Sequence, residues 1–152
     1  MKNYYKDKIL KQLEHINSNN TGKLRFFSKI CSSFEIKTYL KFNIPKYNRP
    51  LITKIRISAH SLAIETGRYC KPKISANERF CKFCKDQVED EIHFLLHCPL
   101  YKDFRESNSV FKDVFKEDDI GSVTYLLNPN NLCNTKQICN YVSQAFEARC
   151  KD

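Results

Sequence analysis

Apolar residues along this chain recur mostly at intervals of three and four, the spacing of one face of an α-helix, so helices should dominate. Tyr5, Ile9, Leu13 and Ile16 make a first stripe that ends in the polar loop Asn17 to Gly22. A second helix is predicted from about Leu24 to Leu40, where the loop carrying Pro45 and Pro50 stops it. Ile52, Ile55, Ala59 and Leu62 share a face of a third, ending near Gly67, a residue suited to the left-handed turn after a helix. Leu100, Phe104, Phe111 and Phe115 suggest another helix, and Ile120, Val123 and Leu127 a short one. After the turn Asn128 to Asn131, a last helix should point Ile138, Tyr141, Val142, Ala145 and Phe146 inward. The expected fold is mostly α, with about six helices, in a single domain over 1–152. It divides into a basic helical part (1–48), a central region (49–105) and carboxyl-terminal helices (106–152).

Composition narrows the class. With 152 residues, 41% hydrophobic and 28% charged, including 11 Phe and 8 Tyr, the chain can bury a real core and is not disordered in composition. The amino-terminal residues have no uninterrupted apolar stretch, and no segment approaches the roughly 18 apolar residues of a membrane span. An intracellular protein is therefore expected, nuclear or cytoplasmic and not secreted. Thiols stay reduced there, which points the eight cysteines toward metal ligation or plain burial rather than disulfides. The net charge of +9 is unevenly placed. Residues 1–80 hold 17 Lys and Arg against 5 Asp and Glu, and residues 81–152 hold 9 against 12. A positive block of this size favours a polyanionic partner, because neutralising phosphates releases counterions.

The candidate chemistry lies in the middle. Cys81 and Cys84 form a C-x-x-C pair, which in a tight turn aims two thiolates at one point. Eight residues later comes His93, and four after that Cys98. Glu89, Asp90 and Glu91 precede His93 and read as the solvated first turn of a helix rather than as general bases. Positions 93 and 98 are about 140° apart on an ideal helix, so the helix must end or unwind for both to reach one ion. Pro99 supplies that, since a residue before proline is pushed out of the helical region. His97, paired with His93 at i and i+4, is the rival fourth ligand. Cys98 is favoured because only eight residues, not about twelve, separate the two halves. Cys81, Cys84, His93 and Cys98 would hold one structural zinc ion, with the tetrahedron filled and no position left for an activated water.

The run Leu51 to Tyr69, followed by Cys81, Cys84, His93, Cys98 and Pro99, resembles the zinc-binding region near the carboxyl end of reverse transcriptases from non-LTR, LINE-like retroelements. The likeness covers about residues 49–105 and includes Arg56, His60, Gly67 and Arg68. It implies a zinc module that helps a polymerase engage RNA or DNA, here as a detached tail. There is no polymerase Asp-Asp motif, since Phe115-Lys-Glu-Asp118-Asp119 has one residue too many, and no nuclease motif. The chain is thus not expected to be an enzyme in its own right, nor to have a small-molecule substrate. Lys54, Arg56, Arg68, Lys71 and Lys73 could form a phosphate-facing surface, with Tyr69 and Phe80 available to stack on bases. A protein-interaction scaffold is the competing reading. His60 reads as a packing residue, and most of Cys31, Cys70, Cys133, Cys139 and Cys150 as small buried hydrophobes.

Overall fold

The computed structural model describes residues 2–19, 22–31, 35–112, 114 and 118–151. It is mostly helical, and no strand occurs among the described residues beyond one isolated antiparallel bridge, Phe80 to Val88. The α-helices are α1 (Lys2–Asn19), α2 (Arg25–Ile30), α3 (Arg49–Arg56), α4 (Ala63–Thr66), α5 (Lys102–Glu106), α6 (Asp119–Leu127) and α7 (Leu132–Cys150). A π-helical segment, His93–His97, lies between α4 and α5.

Three sequence expectations need correction. The helix predicted from Leu24 to Leu40 stops at Ile30, because Cys31 turns extended. A 3-10 turn, Thr38–Lys41, follows, and buried Tyr39 shares a hydrogen bond with Thr53 on α3 at 3.1 Å. That tertiary contact outweighs local propensity. The third helix breaks after Arg56, and the left-handed residue is Ser58 (φ 52°), not Gly67. Its N–H reaches the Ile55 carbonyl, and the Ala59 N–H reaches that of Lys54, which is the pairing of a Schellman motif. Gly67 has helical dihedrals and is needed for space, since a Cβ there would lie 2.7 Å from Arg79 Cδ. The helix expected through Phe104 and Phe111 is likewise broken into α5 and a 3-10 turn, Ser109–Phe111. Phe115 lies outside the described residues, as do Lys116 and Glu117.

The last two helices follow the sequence reading. Asp118 caps α6 by accepting the Gly121 N–H, and Asn131 caps α7 by accepting that of Asn134. Ile138, Tyr141, Val142 and Ala145 are fully buried, with Phe146 partly so. One contiguous core joins residues of α2, α3, α6 and α7 to the central segment from Cys81 to Tyr101. α1 stands apart from it, touching α2 and burying Leu13. Among the described residues, no helix is long and apolar enough to cross a membrane.

Candidate metal centre

The first two ligand candidates sit in a small hairpin. Glu89 N–H donates to the Arg79 carbonyl at 2.9 Å, and Cys81 N–H to that of Gln87 at 2.8 Å. At its tip Lys85 adopts φ 57°, and its N–H closes on the Cys81 carbonyl at 2.9 Å. The tightened turn folds Cys84 back toward Cys81. The second half begins where Asp90 Oδ1 accepts the His93 N–H at 2.8 Å, capping the helical turn that leads into the π segment.

The required unwinding takes the form of that π segment. Cys98 N–H donates to the His93 carbonyl at 2.7 Å, a bond from residue i+5 to i, and the wider turn brings both side chains to one side. Cys98 itself has φ −57° and ψ 122°, the extended region imposed on a residue before proline. Carbonyls left free by the irregular turn find partners in the body. Tyr141 Oη donates to those of Phe94 and Leu95, at 2.8 and 3.2 Å, and Arg105 to that of Cys98 at 2.7 Å.

Cys81, Cys84, His93 and Cys98 converge, and their donor atoms all lie within 4.8 Å of one another. Cys81 Sγ is 3.9 Å from Cys98 Sγ, and Cys84 Sγ is 3.4 Å from His93 Nε2. A tetrahedron with metal–sulfur bonds of about 2.3 Å and a metal–nitrogen bond of about 2.0 Å has edges of roughly 3.5 to 3.8 Å, so the set can hold a metal ion with little rearrangement. His93 Nδ1 is 3.0 Å from Gln87 Oε1, which fixes the proton on Nδ1 and leaves Nε2 as the donor atom. His97 points away and meets Asp119 at 2.8 Å on the surface.

Burial shifts these groups. It drives Cys98 up to about 12, with Cys81 close by adding to the effect, raises Cys81 too, and lowers His93. Cys84 moves down, because the Asp86 and Gln87 N–H groups and the Cys81 side chain outweigh its desolvation. A bound cation would displace the thiol protons, and backbone N–H groups already stand by to receive the thiolates: Phe83 and Cys84 at Cys81, Leu100 at Cys98.

The acidic run beside the ligands is not solvated, contrary to expectation. Glu89 and Glu91 are 1% and 2% exposed. Both oxygens of Glu89 take Arg149 on α7 at 2.8 Å, and Oε2 also accepts the Ala63 N–H that opens α4. Glu91 gathers Arg25 of α2 at 3.1 Å, Ser58 at 2.5 Å and His60 at 3.0 Å. Burial pushes the Glu91 carboxyl up, but the His60 hydrogen bond and the Arg25 charge hold it below its ordinary value. His60 Nδ1 accepts the Leu62 N–H, so Nε2 carries the proton it gives to Glu91. Arg25, Gln87, Arg105 and Arg149 were not singled out in the sequence: Arg25 and Arg149 lie 66 and 60 residues from their partners, while Gln87 and Arg105 lie only 6 and 7 from theirs, at spacings that carry no motif.

The cationic candidates divide. Arg56 is buried, donates to the Leu127 carbonyl and Asn128 Oδ1, and lies over the Phe27 ring, so it is a core residue and not a phosphate contact. Arg68 is half-buried, held by the Gly22 carbonyl and Glu65. Lys54, Lys71 and Lys73 are exposed, as are Tyr69 and Phe80. Of the five other cysteines only Cys139 is buried; Cys70, Cys133 and Cys150 are exposed and Cys31 intermediate, which corrects the expectation for most of them. No known protein family, curated protein or solved structure matches the chain.

Proposed function

We propose that the protein is a non-catalytic zinc module, of the kind that ends the reverse transcriptases of non-LTR retroelements, and that it holds RNA or DNA by phosphate contacts. The observation that carries the zinc reading is the convergence of Cys81, Cys84, His93 and Cys98 to within 4.8 Å. Three thiolates with one imidazole suit zinc among the abundant divalent ions, and four protein donors close its coordination sphere. A closed sphere leaves the metal no water to activate, so its part is to fix shape. The nucleic-acid reading is supported by exposed Tyr69, Lys71 and Lys73, at the end of the basic stretch 1–80, followed by exposed Phe80, Lys82 and Lys85 on the hairpin.

Metal analysis of the purified protein should give one zinc per chain, lost in Cys84→Ser. Binding to generic RNA or DNA should fall steeply with salt. The scaffold reading is favoured by Ile36, Leu40 and Tyr47, large apolar side chains exposed between α2 and α3. Absence of nucleic-acid binding at low salt, with zinc present, would leave the scaffold as the function.

A further inference from the structure

α1 offers a long, largely exposed surface that the candidate metal centre does not use. Its first three turns expose Tyr4, Tyr5, Ile9 and Leu10, and among the described elements it packs chiefly on α2. Tyr4, Lys8, Lys11 and His15 are spaced i, i+4, i+7 and i+11, which puts them in one row along a single face. Lys8, Lys11 and His15, with Gln12 and Ile16, border a shallow surface groove of about 490 Å³. At the head of the row Tyr4 is 67% exposed, and its ring packs edge to face with that of Tyr5, with centroids 5.5 Å apart and planes at 77°. A ring braced by such a contact and this exposed leaves a face open to a flat partner.

We infer that the row Tyr4, Lys8, Lys11 and His15 is a binding surface for single-stranded nucleic acid, with a base stacked on Tyr4 and the following phosphates along Lys8 and Lys11. The inference rests on the nucleic-acid reading above and locates a contact that reading does not contain, since α1 lies outside the core that holds the metal hairpin. The helix carries four lysines against Asp7 and Glu14, so it suits an anionic strand and repels a second copy of itself. Single strands are favoured over duplex because only an unpaired base presents its face to Tyr4. An acidic protein would use the same lysines but has no need of the braced ring.

The test measures binding of labelled oligouridylate and its deoxy counterpart to the zinc-loaded full chain. The changed side chains are exposed, so metal content and helicity should stay at wild-type levels. Lys8→Glu with Lys11→Glu should weaken binding about tenfold or more. It should also flatten the salt dependence by about 1.4 in log–log slope, given roughly 0.7 per phosphate contact on single strands. Tyr4→Ala should weaken binding roughly fivefold or more, the loss of one stacked base. Unchanged binding in these variants, with loss in Lys71→Glu and Lys73→Glu, would overturn the α1 surface and leave the proposed function standing. No binding by the wild type at low salt would remove the proposed function itself. Polyglutamate binding that depends on Lys8 and Lys11 but ignores Tyr4→Ala, with the oligonucleotides bound no more tightly, would make the row a site for acidic protein and overturn the inference.

Discussion

Two charged stretches of this chain look alike in sequence and end in opposite places. Glu89 and Glu91, expected to be solvated, are buried beside the candidate metal ligands, while Lys6, Lys8 and Lys11 of α1 stay in water. The difference lies in partners. Each buried carboxylate is met by an arginine from far along the chain, Arg149 for Glu89 and Arg25 for Glu91, and Arg149 makes the parallel two-point contact that a lysine cannot. Among the described residues, no such counter-charge reaches Lys6, Lys8 or Lys11 of α1. Burial of charge is thus decided by what the fold brings up to it, and the metal hairpin brings up the chain's beginning and its end together.

The severest way to break the buried side of this contrast is to remove a ligand. Cys98→Ser should abolish tight zinc binding and unfold the hairpin and π segment, at a cost on the order of 10 kcal/mol of metal-linked folding energy. Loss of zinc stoichiometry together with loss of helical signal is the expected result, and a stable metal-free fold would refute it. Cutting a carboxylate's partner comes next. Arg149→Ala leaves Glu89 as an uncompensated buried charge and should cost about 3–5 kcal/mol by denaturant titration, whereas Arg149→Met with Glu89→Gln should recover part of it.

Two buried side chains of α7 set an alkaline limit. Burial lifts Cys139 from 9.0 to about 11, and burial likewise lifts Tyr141 from 10.0 to about 12, even with Arg105 beside it pulling the other way. Folded-state values above unfolded ones mean stability that is complete below about pH 9. It is lost as pH rises through 9 to 12, on the order of 2 to 3 kcal/mol for each group. Urea midpoints measured across that range should fall, and Cys139→Ala should remove the lower part of the decline. A smaller effect is expected at Gln87, which is exposed and whose amide orients His93. Gln87→Ala should weaken zinc roughly 10- to 100-fold in a chelator competition while the metal-loaded fold persists.

How far the sequence carried follows from the same contrast. The ligand set was legible because its spacing is local: Cys81 with Cys84 in a turn, and Cys98 placed by the proline after it. The capped helices α6 and α7 were legible for the same reason, with Asp118 and Asn131 marking their starts. What failed was non-local. Arg56 looked like a surface cation until Leu127 and Asn128, more than seventy residues on, supplied its acceptors. Ser58 ends α3 in a conformation usual for glycine, and its hydroxyl is engaged by Glu91, 33 residues away. The π segment was legible as a need, since positions 93 and 98 cannot share an ideal helical face, but its form depends on Tyr141 and Arg105 taking up the freed carbonyls.

The smallest expected effect tests the exposed side. Leu13 and Ile9 lie one turn apart on α1, yet Leu13 is 7% exposed and Ile9 43%. Truncating Leu13 to Ala empties a packed site against the rest of the protein and should cost about 2 kcal/mol or more. Ile9→Ser removes more polarity contrast but no packed contact, and serine and isoleucine have similar helix propensities, so stability should move by no more than about 0.5 kcal/mol. Equal losses for the two substitutions would mean that the outer face of α1 is covered in solution, and the contrast between a partnered acidic run and an unpartnered basic helix would then fail at its exposed end.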